Sequence, residues 1–428
     1  MTLFSKRTFA ITLAAVIGAI GTLLVVILTP EPHELTGPVP ATLSTTSNAD
    51  FVRSMLGIHS GQYSAGNEVL TLQNGAEIFP AMLDAIANAE ASINLETYVY
   101  WSGAIGARFA EALAERAAAG VEVNVLLDWQ GSVPMRPELI ELMTAAGVVV
   151  ERFRPVHWYT IDRLNSRTHR KLLVVDGRIG FIGGVGIADK WLGDARNPDE
   201  FRELHYRVEG PIVAAMQGAF VFNWVEASGH TLQGPAYFPE LDTSDDGQLA
   251  QLVYSTTGAR NVMHLMLMTA ISAAQNNIRI GTAYFVPDEI ALRQLLAARE
   301  RGVRVDIMVP GKHTNKDVVR SASRHFWGDL LRAGVNIYEF DPTMYHAKMM
   351  IVDDRWTTVG SANFDERSFR LNDEANLNLF GADFAREQIQ IFEQDLAKST
   401  PVSLEQWEDR PISEKALDWL ASVLRVQL

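Results

Sequence analysis

Residues 169–176 read HRKLLVVD, and residues 346–353 read HAKMMIVD. Both copies follow the pattern His-x-Lys-x4-Asp. In both, a glycine stands seven positions after the aspartate and is followed by Gly184 in the first copy and by Ser361 in the second. One copy would be a weak signal, but two copies with the same downstream spacing indicate an internal duplication. The sequence therefore predicts two half-sites of the same kind.

The order of helices and strands around the motif also repeats. Apolar runs typical of strands alternate with helical patterns, and comparable helices end at Gly120 and Gly147 in the first half and at Gly302 and Gly334 in the second. This alternation favours an α/β fold. We therefore expect two similar lobes, each a mixed β-sheet flanked by helices, with one active site at the lobe interface. The predicted division is a membrane segment, a linker and two lobes, at residues 1–30, 31–50, 51–246 and 247–428.

The composition excludes several classes of protein. Of the 428 residues, 47% are hydrophobic and 21% are charged, as in a folded chain with a sizeable core. The net charge of −14 argues against a broad nucleic-acid surface, which needs a basic footprint. There is no cysteine, so neither disulfide bonds nor thiolate metal sites are expected. The histidines and carboxylates show no metal-ligand spacing, and we expect neither a metal nor a cofactor.

The N-terminal run Phe9–Leu28 is uncharged and mostly apolar, and about 20 such residues span a bilayer as a helix. Lys6 and Arg7 precede it, whereas residues 30–34 contain no Lys or Arg. The positive-inside rule then predicts a single-pass membrane protein with its catalytic lobes on the periplasmic or extracytoplasmic side. A cleaved signal peptide is the alternative, although no convincing small-x-small site follows the run. A buried globular helix is disfavoured because the run has no polar face.

The residue types of the motif predict a site for an anion. In each copy a histidine and a lysine are two positions apart on a predicted strand, so both side chains face the same way; these are His169 and Lys171, and His346 and Lys348. Glycines at the end of the return strand let backbone N–H groups approach a bound anion. The motif aspartates, Asp176 and Asp353, complete the candidate catalytic set, but their position at hairpin turns favours a structural role.

These residues resemble the phospholipase D superfamily, which is defined by two His-x-Lys-x4-Asp motifs. The nearer likeness is to its bacterial cardiolipin synthase branch. It is carried by residues 164–177, by YFVPD at residues 284–288 and by GSANFDERSF at residues 360–369. The likeness extends over residues 60 to 425 or so. The motif pair is highly specific for the superfamily and less specific for the reaction.

The resemblance implies that one histidine attacks phosphorus to form a phosphohistidine and that the other protonates the departing alcohol. Following the usual family assignment, we expect His169 to be the nucleophile and His346 to be the acid. Imidazole serves in either role near neutral pH. Two fixed lysines can neutralise the non-bridging oxygens of the phosphate, a role that a metal plays elsewhere.

The resemblance also implies a carboxylate downstream of each motif that orients the histidine of that motif. Glu374 suits this role for His346. For His169 the candidate is Glu203, in the sequence FRELH, where the family more often has Trp-Arg-Asp-x-His.

A phosphate-contacting asparagine is implied as well. Asn363 matches the family pattern, but the equivalent position of the first half is Gly186. Backbone N–H groups or Ser361 are expected to substitute there. The candidate substrate-binding residues are therefore Gly184, Ser361 and Asn363.

The sequence favours a membrane-anchored phosphatidyltransferase that joins two phosphatidylglycerols into cardiolipin and releases glycerol. The main alternative is a hydrolytic phospholipase D that releases phosphatidic acid, which would share every named residue and differ in water exclusion. A superfamily nuclease is disfavoured by the acidic charge and the predicted anchor. A non-catalytic protein that binds lipids or anions is the remaining alternative. The expected partners are phospholipids and a membrane, with no nucleic acid.

Two further features are open to more than one interpretation. Four aromatic residues at predicted strand ends would either line a lipid channel or pack in the core; these are Tyr98, Trp101, Tyr284 and Phe285. The amphipathic stretch 413–428 would either pack on the second lobe or rest on the bilayer. Its predicted apolar stripe consists of Leu417, Leu420, Ala421, Leu424 and Leu428.

Overall fold

The computed structural model describes residues 8–9, 11–18, 21–22, 49–58, 62–156, 165–256 and 261–425. The chain divides into two compact units, Met1–Thr36 and Gly37–Leu428. The described residues of the first unit are helical. Among the helices in these ranges, none has both the length and the apolar character that crossing a membrane requires. Many residues of the predicted anchor, nearly all of the predicted linker and residues 157–164 lie outside the described ranges.

The described part of the second unit consists of helices and strands in alternation. The helices, numbered α1 to α12, are Ala49–Ile58, Asn74–Ala87, Ala104–Ala118, Pro137–Ala145, Val213–Ser228, Val262–Ala273, Glu289–Glu300, Asp317–Arg332, Glu366–Arg370, Ala382–Leu396, Leu404–Glu408 and Ile412–Val423. The strands, numbered β1 to β17, are Tyr63–Gln73, Ser92–Thr97, Glu122–Asp128, Val149–Phe153, Leu172–Val175, Ile179–Gly183, Leu204–Glu209, Gln248–Tyr254, Asn277–Gly281, Phe285–Val286, Arg304–Pro310, Asn336–Phe340, Met349–Val352, Trp356–Gly360, Phe364–Asp365, Ala375–Phe380 and Ser399–Pro401.

Fifteen strands form one mixed sheet, in the order β17-β12-β11-β9-β13-β14-β16-β8-β1-β7-β6-β5-β2-β3-β4. The first half, β1-β7-β6-β5-β2-β3-β4, matches β8-β16-β14-β13-β9-β11-β12 of the second half strand for strand. The duplication of the sequence is therefore a duplication of the fold. The halves meet where β1 pairs antiparallel with β8, so the sheets expected for the two lobes are joined into one. This pairing satisfies two strand edges that separate sheets would leave open.

A polar side chain fixes the junction between the halves. The register of β1 against β8 shifts between Ser64 and Asn67. Asn67 is buried, donates to the carbonyl of Gln248 at 3.0 Å and accepts from the N–H of Ile212 at 2.8 Å. Both polar atoms of the Asn67 side chain therefore have hydrogen-bond partners at this register shift, as expected for a buried amide.

The central hydrophobic core belongs to both halves. Leu172 and Val174 of β5 lie in the same cluster as Met349 and Ile351 of β13, together with side chains of β7, β8 and β16. A second cluster joins α2 and α3 to the first half of the sheet. The motif strands thus run through buried surroundings, which explains their continuous apolar sequence.

Two details differ from the sequence prediction. Helix α2 begins at Asn74 and contains Pro80 beyond its first turn, where the sequence alone disfavours a proline. Burial of Phe79 and Met82 holds the turn in place although proline removes one helical hydrogen bond. Helix α1 lies in the predicted first lobe, but its Phe51 ring packs 6.4 Å from the ring of Trp356 in the second half.

Candidate active site

The motif histidines and lysines lie just ahead of β5 and β13, whereas the prediction placed them within strands. These lead-in segments are extended because each pairs with the other half of the molecule. The N–H of His169 donates to the carbonyl of Asp373 at 2.8 Å, and the N–H of His346 donates to the carbonyl of Arg202 at 2.8 Å. Both contacts belong to parallel bridges between the halves. The two motifs are therefore positioned by backbone pairing across the molecule.

The same bridges bring each carboxylate to the histidine of the other half. Asp373 precedes Glu374, both of whose oxygens lie 2.9 Å from Nδ1 of His169. Arg202 precedes Glu203, whose Oε2 lies 2.5 Å from Nδ1 of His346. The predicted pairing of each carboxylate with the histidine of its own half is therefore wrong. The residue types are those predicted, but the partners are exchanged.

Different donors hold the two carboxylates. Glu374 accepts from the hydroxyl of Ser361 at 2.6 Å and from that of Ser368 at 2.8 Å. Glu203 accepts from Nε1 of Trp191 at 3.0 Å. Trp191 and Ser368 each stand 22 residues after the histidine of their half, so they occupy equivalent positions of the duplication. Sequence reasoning missed both, because a tryptophan and a serine at equivalent positions show no shared chemistry in the sequence.

The motif lysines are buried beside the histidines. Nζ of Lys171 donates to the carbonyl of His169 at 2.6 Å. Nζ of Lys348 donates to the carbonyl of His346 and lies 3.0 Å from Nδ1 of that ring. Burial lowers the pKa of Lys171 to about 7 and the pKa of Lys348 to about 8. Binding of an anion would favour the charged form of both lysines.

Burial is the main cause that lowers the pKa of both histidines, and the positive charge of the lysines lowers it further. The pKa of His169 lies well below its ordinary value, and the pKa of His346 falls to about 4. Each imidazole therefore loses its proton more readily than a free histidine does. Because Nδ1 of each ring faces a carboxylate, Nε2 of each ring is the nitrogen left for chemistry.

The two carboxylates differ in how readily they ionise. Burial raises the pKa of Glu374. Burial opposes ionisation of Glu203 as well, but attraction to His346 and Lys348 outweighs it, so the pKa of Glu203 is lowered. His346 consequently has the more strongly ionised partner. The duplicated site is electrostatically asymmetric.

Aromatic rings of the first half pack against both histidines. Tyr98 meets His169 edge to face at 5.4 Å, and Trp191 meets His346 in the same way at 5.2 Å. Phe285, by contrast, is buried and stacks on Phe364 at 5.3 Å. Of the aromatics left open between channel and core, Tyr98 therefore belongs to the site and Phe285 to the core.

The predicted substrate-binding residues lie in different surroundings. Asn363 is buried and lines a cavity with Lys348 and Thr282, and its Oδ1 accepts no hydrogen bond from the described residues. The hydroxyl of Ser361 donates a hydrogen bond to Glu374. Gly184 lies against the side chain of Glu203. The phosphate contact of Asn363 stays a prediction, in which Nδ2 of its side chain would donate to a phosphate oxygen.

The absence of an asparagine in the first half has a steric reason. A Cβ at Gly186 would lie 2.9 Å from Cβ of Val99 and 3.0 Å from the ring of Trp191. The indole that holds Glu203 therefore fills the space that an asparagine side chain would need.

The motif aspartates lie at the turns and bind backbone. Asp176 accepts from the N–H groups of Ala91 and Ser92 at 2.7 and 2.9 Å. Asp353 accepts from those of Asn276 and Asn277 at 2.7 and 3.2 Å. These contacts hold the starts of strands β2 and β9 in place, which supports the structural role that the hairpin turns favour. In the described ranges, no group of three or more His, Asp or Glu is placed to hold a metal ion.

Residues 82–201 and 267–396 match the family model for the cardiolipin synthase, phospholipase D-like domain. The two matched segments make up more than half of the chain and contain both motifs. The chain belongs to this family. The resemblance predicted from the motifs is therefore confirmed.

Curated members of the family align over most of the chain. A cardiolipin synthase of Geobacillus sp. (strain WCH70) is 35% identical over 364 residues, which are 84% of this chain and 72% of that protein. The major cardiolipin synthase ClsA of Bacillus subtilis (strain 168) is 33% identical over 372 residues, which are 86% of this chain and 77% of that protein.

Solved structures support the family fold. The phosphatidylserine synthase of Haemophilus influenzae has a TM-score of 0.64 at 14% identity, covering 88% of this chain and all of that chain. The polyphosphate kinase of Porphyromonas gingivalis has a TM-score of 0.54 at 14% identity, covering 92% of this chain and 58% of that chain. At such identities the likeness concerns the fold alone.

Proposed function

We propose that this member of the cardiolipin synthase family transfers a phosphatidyl group from one phosphatidylglycerol to another, forming cardiolipin and glycerol. The crossed contacts of His169 with Glu374 and of His346 with Glu203 carry the proposal. They fix two imidazoles by Nδ1 and leave two Nε2 atoms for chemistry, and a buried lysine stands two residues after each histidine. This is a site for displacement at a phosphodiester through a histidine intermediate.

In the first step, Nε2 of His169 attacks phosphorus and the bond from phosphorus to the glycerol headgroup breaks. The departing glycerol oxygen takes a proton from Nε2 of His346. The low pKa of His169 favours a neutral nucleophile. The ionised Glu203, 2.5 Å from His346, favours a proton on that ring once the substrate anion offsets the lysines. The electrostatic asymmetry supports the predicted roles of the two histidines.

In the second step, the free hydroxyl of another phosphatidylglycerol attacks the phosphohistidine. His346 accepts the proton of that hydroxyl while the nitrogen–phosphorus bond breaks, which restores both rings. Lys171 and Lys348 neutralise the non-bridging oxygens in both steps. Water in place of the second lipid would give phosphatidic acid, the product of the hydrolytic alternative.

A lipid assay tests the reaction. Full-length protein in detergent micelles is incubated with phosphatidylglycerol, with and without added glycerol, and the lipids are separated. We expect cardiolipin whose yield falls as glycerol rises, since glycerol reverses the first step. Phosphatidic acid alone would mean hydrolysis, and no lipid product would favour a binding protein.

Two variants and a matched control locate the chemistry. His169→Ala and His346→Ala should each abolish turnover, whereas His230→Ala should not, because His230 is an exposed histidine outside the site. Full activity in either motif variant would overturn the two-histidine mechanism.

We also propose that the N-terminal segment anchors the protein with its catalytic part on the extracytoplasmic side. Lys6 and Arg7 before the apolar run support this orientation. Phe9, Ile11 and Ile17 expose 71%, 70% and 61% of their surface, as lipid-facing side chains would. Protease added to spheroplasts should digest the catalytic part, and protection of that part would contradict the orientation.

A further inference from the structure

Helix α12, Ile412–Val423, turns its apolar side chains outward. Ile412 is 84% exposed, and Leu417, Trp419 and Leu420 are 61%, 56% and 55% exposed. Val423 and the following Leu424 are 55% and 47% exposed. Most of the predicted apolar stripe therefore does not pack on the second half. A contiguous apolar helix face of this kind marks an interaction surface.

The acidic side chains of the same helix are paired with arginines. Glu414 lies 2.7 Å from Arg324 of α8, and Asp418 lies 2.5 Å from Arg410. Asp418 and Ser422 are buried, as is Ala421. Both acids on the helix are thus neutralised against the protein. The outward face is left apolar and free of negative charge, in a chain whose net charge is −14.

The end of α12 lies close to the segment that carries Asn363. Trp407, just ahead of α12, lies against Gly328 of α8, and Glu414 contacts Arg324, one turn nearer the start of α8. Ala421 belongs to a hydrophobic cluster with Val319 and Ala322, nearer still to that start, so α12 runs antiparallel to α8. Just beyond the helix, Nε of Arg425 lies 3.0 Å from Oε1 of Glu366. Glu366 follows Asn363 by three residues in the chain.

Positive charge flanks the same end of the helix. Lys312 and Lys316 lie in the loop immediately before α8, and both residues are exposed. Lys316 directly precedes the start of α8, and its Nζ lies 5.3 Å from the centre of the Tyr284 ring. Neither lysine forms an ion pair within the part of the chain that the structure describes. Val318, 42% exposed, continues the apolar surface between this loop and α12.

We propose that the outward face of α12, with Lys312 and Lys316 at its edge, docks on the surface of an anionic phospholipid bilayer. Apolar side chains with a tryptophan enter the boundary between headgroups and acyl chains, while lysines meet the lipid phosphates. Docking places the segment carrying Asn363 at the membrane surface. The choice of a bilayer as the occupant rests on the proposed lipid substrate, whereas the exposed face itself does not.

The absence of cysteine allows a direct test on the full chain. Leu420→Cys receives an environment-sensitive fluorophore, and Glu111→Cys, at an exposed polar position on α3, serves as the matched control. Both proteins are reconstituted in vesicles of equal parts phosphatidylglycerol and phosphatidylcholine. We expect a blue-shifted emission, quenched by brominated lipids, at position 420 and solvent-like emission at position 111. Solvent-like emission at both positions would overturn the proposal.

The same probe distinguishes a bilayer from a second copy of the chain. In detergent, emission at position 420 that shifts with protein concentration would show that the face contacts another copy, and the proposal would be wrong. Emission independent of protein concentration, followed by a shift on transfer to vesicles, supports docking on lipid.

A kinetic comparison separates this proposal from the proposed function. The variant Leu417→Ser/Leu420→Ser/Leu424→Ser should lower turnover of phosphatidylglycerol in vesicles roughly tenfold or more relative to turnover of a short-chain, monomeric phosphatidylglycerol. Equal loss on both substrates would overturn docking. Absence of turnover on both substrates in the unmodified protein would instead overturn the proposed function.

Discussion

Each motif histidine is held by a residue from the other half of the molecule. Nδ1 of His169 faces Glu374, and Nδ1 of His346 faces Glu203. A carboxylate in this position fixes the tautomer and stabilises the charged ring. A change in one carboxylate should therefore be felt by the histidine of the opposite motif.

The exchanged pairing predicts which ring responds to which substitution. Glu374→Gln should shift the imidazole ¹⁵N resonances of His169 and leave those of His346 nearly unchanged, and Glu203→Gln should do the reverse. Each variant should also lose roughly 10²-fold in kcat, because its acid–base group is no longer oriented. Nitrogen NMR on histidine-labelled protein is the measurement. A response of His346 to Glu374→Gln would show that the pairing lies within each half.

The motif lysines predict the alkaline limb of the pH profile. The pKa of Lys171 is about 7 and that of Lys348 about 8, so raising the pH removes first one positive charge and then the other. We expect kcat/KM for phosphatidylglycerol in micelles to fall through this window. The fall in kcat should be smaller, since the bound anion keeps the lysines protonated. A kcat/KM that stays constant up to roughly pH 9 would contradict lysine titration in the free enzyme.

At the scale of elements, the motif is a hairpin held at both ends. One end carries the histidine and lysine, and the turn carries an aspartate with positive φ, 53° at Asp176 and 52° at Asp353. The carboxylate of each aspartate accepts hydrogen bonds from backbone N–H groups at the start of the neighbouring strand. The aspartates thus set the register of the hairpin that carries the catalytic pair.

This role predicts a change in stability without a matching change in chemistry. Asp353→Ala should lower the free energy of unfolding by about 2 kcal/mol, since it removes a charged acceptor from the partly buried N–H groups of Asn276 and Asn277. Asp353→Asn should lower it less, because asparagine keeps one acceptor and tolerates positive φ. Urea denaturation measures both changes, and kcat/KM of the folded protein should stay within about threefold of the original. A large loss of activity at unchanged stability would return Asp353 to the catalytic set.

Local features of the fold were predictable because they have local causes. The hairpin turns follow from Asp176-Gly177 and its counterpart, and the halves follow from equal spacing of the motifs. The exchange of carboxylates has no such signal. It depends on the bridge between Thr168 and Asp373, residues distant in sequence whose pairing follows from how the halves meet. The family pattern supplied the residue types, and only the joined structure supplies their partners.

At the scale of the whole molecule, buried polar contacts lock the halves together. Arg202, the residue before Glu203, lies 2.9 Å from Asp395 of the second half, and both side chains are buried. Gln388 of α10 donates to Thr71 of β1 at 2.8 Å. These contacts accompany a sheet that runs unbroken from β17 to β4. The active site therefore exists only while both halves are docked.

The joined sheet predicts that the two halves unfold together. Scanning calorimetry of the full chain in detergent should show one transition for the second unit, with the calorimetric enthalpy close to the van 't Hoff enthalpy. Asp395→Ala leaves the charge of Arg202 buried without its partner, and should lower stability by about 3–5 kcal/mol and move the whole transition without splitting it. Asp383→Ala is the matched control on the same helix, and should change stability by less than about 0.5 kcal/mol because its carboxylate is exposed. Two separate transitions, or a split caused by Asp395→Ala, would show that the halves are independent domains and that the site forms by their association.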